Sequence, residues 1–169
     1  MAEATVSRLM RRQLTLFLPP DQRAIVEPIR HRLDPQQHAI IQAHVTLCRD
    51  NELVPWQVIN QRLASLGDFS ITMQFGEPQL LPDGCVLLRP TRGAEQYQDL
   101  RQSILGSSAN AHGAHITLLH PRNAGGVIYN LAEIAPALAG LTATFRTIAI
   151  IEQYGSGPWL VQQEYGAAI

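Results

Sequence analysis

Two copies of one short pattern place a histidine and a threonine together at two points of the chain. His44 and Thr46 belong to the tetrad His-Val-Thr-Leu, and His115 and Thr117 belong to His-Ile-Thr-Leu, 71 positions further on. Residues two apart in a β-strand lie on the same face, so each tetrad presents an imidazole and a hydroxyl together. The apolar residues of each tetrad then face a hydrophobic core. Two such strands predict a site with two imidazoles and two hydroxyls.

These four groups suit the cleavage of a phosphodiester. The reaction needs a base to deprotonate the attacking oxygen, an acid to protonate the leaving oxygen, and donors to the non-bridging oxygens of the phosphate. Histidine has an unperturbed pKa of about 6.5, so one imidazole can be neutral while another is protonated near neutral pH. The pattern therefore predicts His44, Thr46, His115 and Thr117 as catalytic residues, without indicating which histidine is the base.

The segments around the two motifs repeat at the same offset. Shifted by 71, the apolar run at residues 14–19 falls on residues 85–90, and both runs are typical of short buried strands closed by proline. An amphipathic helical pattern follows each run. Its apolar positions are Ile25, Ile29 and Leu33 in the first half, and Tyr97, Leu100, Ile104 and Leu105 in the second. After each motif come a further helical segment and a strand, and a final strand is predicted at residues 159–163.

The order strand, helix, motif strand, helix and strand, written twice, predicts an α+β fold with a pseudo-twofold duplication. Two mainly antiparallel sheets, with helices outside, are expected to line a central cleft between two lobes. The approximate repeats cover residues 12–80 and 84–153 of a single domain at residues 11–169. Residues 1–10 are expected to form a mobile tail.

Composition excludes several mechanisms and partners. The chain has thirteen arginines and no lysine, so a nucleotidyl-lysine intermediate, a Schiff base and a P-loop lysine are impossible. A net charge of −1 argues against sequence-independent binding to extended duplex nucleic acid. No apolar run approaches the roughly 18 residues of a membrane span. Two cysteines are too few for a disulfide framework. We therefore expect a cytoplasmic monomer that does not bind membranes.

The doubled motif, with an apolar strand closed by proline before the first copy, resembles the 2H phosphoesterase superfamily. This superfamily includes the 2′-5′ RNA ligase and RNA 2′,3′-cyclic phosphodiesterase group. The resemblance extends from Arg12 to about Val161. It implies a bilobal pseudo-twofold fold and chemistry without a metal or cofactor, in which one motif histidine is the general base and the other is the general acid. The implied substrates are 2′,3′-cyclic phosphates or 2′-5′ linkages in RNA ends, oligonucleotides or nucleotides.

Residues beyond the motifs are candidates for substrate binding. The fifth position after each motif histidine, which often lines the pocket in that family, is Arg49 in one half and His120 in the other. A terminal phosphate is expected to bind Arg49 or Arg122, because a guanidinium forks onto phosphate oxygens. A base is expected to stack on Tyr154 or Trp159.

Two alternatives remain open at this stage. The same cleft would serve a binding module that holds phosphorylated nucleotides or RNA ends without catalysis. A metal-dependent hydrolase would need His112, His115 and His120 as ligands, although His112 itself is expected at the surface in a turn-like segment. Cys48 shares the predicted strand face of the first motif and is a candidate to border the site.

Overall fold

The computed structural model describes residues 10–109 and 112–166 and has α-helices and two antiparallel sheets. The strands are β1 (Met10–Phe17), β2 (His44–Cys48), β3 (Ile71–Phe75), β4 (Gln79–Leu80), β5 (Val86–Leu88), β6 (Pro90–Arg92), β7 (Ile116–Leu119), β8 (Thr142–Phe145), β9 (Thr147–Tyr154) and β10 (Trp159–Gly166). The helices are α1 (Pro20–Leu33), α2 (Pro35–Ile40), α3 (Trp56–Ala64), α4 (Ala94–Leu105) and α5 (Leu131–Leu138). The predicted α+β class is therefore confirmed.

The first strand begins inside the segment that was predicted to be a mobile tail. Met10 already belongs to β1 and pairs with Tyr154 of β9. The remainder of the predicted tail, residues 1–9, lies outside the described residues. Within the described part of the chain, no helix has the length and apolar character needed to cross a bilayer.

The motif strands β2 and β7 are neighbours at the centre of the larger sheet. That sheet has seven strands in the order β10-β9-β1-β2-β7-β5-β4, and the smaller sheet has the order β6-β3-β8. A single register pair, Val45 with Ile116, joins β2 to β7. The division into sheets does not follow the halves of the sequence, since β3 of the first half pairs with β6 and β8 of the second. Local patterns locate strands but do not specify such distant partners.

Register pairs in both sheets relate the two halves of the sequence. Val45 and Ile116 occupy the same position of the repeat and pair with each other across the larger sheet. In the smaller sheet Thr72 pairs with Thr144, which lies 72 positions further on, and their hydroxyl oxygens are 2.8 Å apart. An antiparallel pair of equivalent residues is what a twofold axis produces. The duplication found in the sequence is therefore also a spatial symmetry.

Helices α1 and α4 bury the same positions of the repeat. The buried residues are Val26, Ile29, Arg30 and Leu33 in α1, and Tyr97, Leu100, Arg101, Ile104 and Leu105 in α4. The sequence pattern selected Ile25, which is 42% exposed, and the buried position is its neighbour Val26. Pro28 lies inside α1 without ending it. Proline has no N–H, so the Ala24 carbonyl, four residues earlier, lacks its helical hydrogen bond. Pro28 and Ala24 are both exposed, so water can bind that carbonyl instead.

Each motif strand carries one extra residue where it pairs with the strand preceding it in the repeat. The extra residue is Leu47 in β2 and Leu118 in β7, at equivalent positions. Through these bulges β1 and β5 correspond at an offset of 72, so Leu14 matches Val86 and not Cys85 as the sequence alignment predicted. A slip of one residue turns every side chain to the other face. The correction therefore decides which side chains of β1 and β5 are equivalent at the cleft.

Candidate active site

The two motif histidines are held in the same way. The Nδ1 atom of His44 lies 2.7 Å from the carbonyl oxygen of Gln42, and Nδ1 of His115 lies 3.0 Å from that of Gly113. A carbonyl oxygen only accepts hydrogen bonds, so Nδ1 carries the ring proton in both rings. The Nε2 atom of each neutral imidazole then has a free lone pair. Each histidine is thus in the tautomer that a general base requires.

The four predicted catalytic residues line one cleft. Its volume is about 590 Å³, and His44, Thr46, His115 and Thr117 all contribute to the lining. The register of the Val45 pair sets His44 across from Thr117, and Thr46 across from His115. Directly opposed residues of an antiparallel pair have Cβ atoms about 4.5–5.5 Å apart. Each imidazole therefore lies opposite the hydroxyl of the other half.

Both imidazoles are neutral at physiological pH. Loss of hydration on burial lowers the pKa of His44 to about 4; the positive charges of Arg30 and a protonated His115 lower it too, and the Gln42 carbonyl opposes the shift. Burial also lowers the pKa of His115, against its hydrogen bond to Gly113, and the charges of Arg49 and Arg89 add to that effect. Either ring can accept a proton from a bound molecule in this state.

The cleft is strongly cationic although the chain as a whole is not. Its lining includes the guanidinium-bearing side chains Arg11, Arg30, Arg49, Arg89 and Arg122. Asp83 is the one carboxylate found in the lining among the described residues. Concave surfaces lined by charges of one sign concentrate counter-ions of the other sign. The site is therefore built for an anionic ligand, and guanidinium groups favour phosphate.

The predicted binding residues Arg49, His120 and Arg122 all line this cleft. Arg49 is exposed, its backbone N–H donates to Oε1 of Glu52 at 3.0 Å, and its charge lowers the pKa of His115. Nη2 of Arg122 donates to Oε1 of Gln37 at 3.2 Å. The guanidinium groups are thus placed at the cleft with capacity for further hydrogen bonds.

His120 differs from the motif histidines in its tautomer. Its ring Nδ1 accepts the backbone N–H of Arg122 at 3.2 Å, so the ring proton of the neutral form is on Nε2. The backbone N–H of His120 donates to Oδ2 of Asp34 at 2.9 Å. Burial and the nearby charge of Arg122 lower the pKa of the imidazole. His120 therefore offers a donor to the cleft where His44 and His115 offer acceptors.

The two aromatic candidates are separated by the structure. Tyr154 is half-exposed, does not line the cleft, and donates its hydroxyl to Oε2 of Glu152 at 3.0 Å. Trp159 does line the cleft, and the guanidinium carbon of Arg11 lies 5.3 Å from its ring centroid. A base entering this cleft would meet Trp159 and not Tyr154.

His112 was predicted at the surface and is instead one of four histidines that line the cleft among the described residues. It is 8% exposed, and its ring centroid lies 5.7 Å from that of His115 in an edge-on contact. Burial lowers its pKa to about 4, and its Nε2 has no hydrogen-bond partner among the described residues. Gln98 of α4 holds its backbone by donating Nε2 to the His112 carbonyl at 2.6 Å. In the sequence, the indication that His112 belongs to the site was its position three residues before the motif histidine His115.

Helix α4 fixes the C-terminal part of β2 from behind. The hydroxyl of Tyr97 donates to the carbonyl of Thr46 at 2.7 Å, and Nη1 of Arg101 donates to the carbonyl of Leu47 at 2.6 Å. Arg101 also forms a fully buried ion pair with Glu52 at 2.6 Å. These bonds hold the bulge in place and with it the orientation of Thr46.

Cys48 lies behind the site and does not border it. The thiol is fully buried, and burial raises its pKa to about 12. The proposed metal cluster also finds no support in the donor set: within residues 10–109 and 112–166, no three His, Cys, Asp or Glu side chains are placed to hold a metal ion together.

Solved structures with the same fold are found for nearly the whole chain. The crystal structure of E. coli LigT in apo form has a TM-score of 0.61 and 14% sequence identity, covering 95% of this chain and 98% of LigT. A crystal structure described as a phosphoesterase gives 0.61 and 14%, covering 95% and 99%. E. coli LigT complexed with 3′-AMP gives 0.60 and 16%, covering 95% and 99%. No protein-family model and no curated protein sequence matches the chain. At this identity the likeness establishes the fold, and at that level it confirms the resemblance found in the sequence.

Proposed function

We propose that this protein is a metal-independent phosphoesterase that opens 2′,3′-cyclic phosphates, or cleaves 2′-5′ linkages, in RNA ends or nucleotides. The observation that carries the proposal is the pair of symmetry-related imidazoles, each with Nε2 free and Nδ1 bonded to a carbonyl. The cationic lining and the crystal structures of LigT with phosphate, ATP and 3′-AMP support a phosphate-bearing, nucleotide-type ligand. A compartment that keeps both cysteines reduced, such as the cytoplasm, agrees with their being free thiols.

In the proposed reaction His44 is the base. Its Nε2 takes a proton from water, the water oxygen bonds to phosphorus, and the bond from phosphorus to one ribose oxygen breaks. His44 stays neutral in the complex because burial is the main cause of its lowered pKa, and the charge of Arg30, which is bonded to Glu27 and to the Ile41 carbonyl, adds to that effect. Its lone pair is therefore available when substrate is bound.

His115 is the acid and delivers its proton to the leaving ribose oxygen. In the free protein burial lowers its pKa, and the charges of Arg49 and Arg89 add to that effect. A bound phosphate neutralises these charges and adds a negative charge beside the ring, so the imidazole gains a proton on binding. The hydroxyls of Thr46 and Thr117 donate to the non-bridging oxygens. Ligation by reversal would use the same two histidines with their roles exchanged.

The test is hydrolysis of a nucleoside 2′,3′-cyclic phosphate in excess chelator, with ³¹P NMR to identify the 2′- or 3′-phosphate product. His44→Ala and His115→Ala should each lower kcat by about 10²–10⁴-fold, the usual contribution of a positioned acid or base. His31→Ala, in the exposed part of α1, is the matched control and should retain wild-type turnover. Loss of activity with chelator, or full activity in both cleft variants, contradicts the proposal. Calorimetric binding of the substrate without any product would instead indicate a binding module.

A further inference from the structure

Gln13 of β1 makes two hydrogen bonds that the motif itself does not explain. Its side chain lines the cleft, and Nε2 lies 3.0 Å from Oγ1 of Thr46 and 2.8 Å from Oγ1 of Thr15. Thr15 is fully buried, so it fixes the amide from the core side. Both hydrogens of the amide nitrogen are used in this arrangement. The Thr46 oxygen therefore accepts a hydrogen bond before any ligand arrives.

The hydroxyl of Thr46 is polarised by this contact. An oxygen that accepts from Gln13 keeps its own hydrogen for a different partner, and Thr46 itself lines the cleft. We propose that Gln13 is a positioning residue that holds the Thr46 hydroxyl as a ready donor to a non-bridging phosphate oxygen. This inference rests on the proposed function, since the donor matters only if a phosphate occupies the cleft. Donors fixed before the reaction contribute most to stabilising developing charge.

The arrangement belongs to one half of the molecule. At the offset set by the strand bulges, the counterpart of Gln13 is Cys85, which also lines the cleft. The cysteine side chain is shorter than that of glutamine, and its thiol is a weak donor. Among the described residues, no side chain donates to Oγ1 of Thr117 as Gln13 donates to Thr46. The two motif threonines are thus unequal although their backbones are symmetric. Since Thr46 lies across from His115, the fixed donor is next to the proposed acid.

A double-mutant cycle tests the inference. Gln13→Met keeps the length of the side chain and removes its donors, which frees the Thr46 hydroxyl to rotate among about three staggered positions. We expect kcat/KM to fall roughly three- to tenfold, less than the roughly 10²-fold expected for Thr46→Val. In the Thr46→Val background, Gln13→Met should have no further effect. Gln102→Met, the same change on the exposed face of α4, is the matched control.

A second variant and a second measurement keep the outcome decisive. Gln13→Glu can only accept from Thr46 and turns its hydrogen away from the phosphate, so its kcat should fall below that of Gln13→Met. Thermal unfolding of each variant shows whether the fold is retained. The same cycle, measured by calorimetry as the affinity for 3′-AMP, does not depend on turnover.

The possible results separate this inference from the proposed function. If the wild-type protein turns over the substrate and the two losses simply multiply, Gln13 acts independently of Thr46 and the inference is overturned. If no cyclic phosphate is turned over but 3′-AMP affinity shows the coupling, the proposed function fails and the positioning role stands. If neither turnover nor 3′-AMP binding is found in the wild-type protein, both are overturned.

Discussion

Mild acid should destabilise the fold because His112 is buried as a neutral imidazole. The side chain is 8% exposed, and its pKa is lowered to about 4. Between pH about 6.5 and about 4 the unfolded chain binds a proton at this histidine that the folded protein does not bind. Its contribution to stability is therefore fully present above pH about 6.5 and is lost as the pH falls through that window. Linkage gives a loss of about 2 kcal/mol at pH about 5.

His44 adds to the same effect, since its pKa is also lowered to about 4. We therefore expect the free energy of unfolding of the wild-type protein to drop by about 4 kcal/mol between pH about 7 and pH about 5. Urea unfolding followed by circular dichroism at a series of pH values measures this directly. No substrate is needed, so the result does not depend on the proposed reaction.

The variants make the assignment specific. His112→Asn removes one titrating imidazole and should reduce this drop by about 2 kcal/mol. His31→Asn, at an exposed histidine of α1, should keep the wild-type dependence. A free energy of unfolding that is flat from pH about 7 to about 5 would show that these rings are not buried as neutral groups. So would a His112→Asn variant with the full wild-type slope.

Three further predictions concern the surroundings of the cleft. Glu52→Gln leaves the buried Arg101 without its carboxylate and should lower the free energy of unfolding by about 3–5 kcal/mol in urea titrations. Arg49→Gln should weaken 3′-AMP binding by about tenfold in calorimetry, with a smaller difference at high salt, because the lost interaction is a charge on an exposed side chain. The Cys48 thiol should resist thiol reagents until urea unfolds the chain, since it is fully buried and its pKa is raised to about 12.

The motif residues could be predicted from the sequence because their arrangement is local. Alternation along a single strand places His44 beside Thr46, and the repeat supplies the second pair. Which strands pair with each other depends on the whole chain, so the sequence pattern of neither half could predict the pairing of β3 with β8. The bulge at Leu47 was equally invisible, because an extra residue inside an apolar run does not alter its composition. This is why Cys85, and not Val86, was aligned with Leu14.

Residues outside the motifs were assigned from the local sequence, without knowledge of what surrounds them in the fold. His112 stands in a polar, glycine-containing stretch of sequence that is typical of an exposed turn, yet its ring lies beside the Tyr97 ring of α4 and Gln98 bonds to its carbonyl. Tyr154 and Trp159 flank the same turn, and the sequence offered no means of choosing between them. The strand register decides: Trp159 pairs with Gln153 next to Arg11, and Tyr154 is turned to solvent.

The backbone of the site is more symmetric than the side chains that support it. The residue after each motif strand has its N–H held by a carboxylate, which is Glu52 for Arg49 and Asp34 for His120. These two carboxylates do not correspond in the repeat: Glu52 lies in the same half as the strand that it holds, and Asp34 lies in the opposite half.

Support across the halves runs in both directions. Asp34 of the first half holds the end of β7, and Tyr97 and Arg101 of the second half hold two carbonyls of β2. The end strands are shared as well, since β9 of the second half pairs with β1 of the first. Each half therefore supplies some of the bonds that support the motif strand of the other half. The symmetric pair of histidines exists only in the assembled chain, and the differences between the supporting residues give otherwise equivalent groups distinct roles.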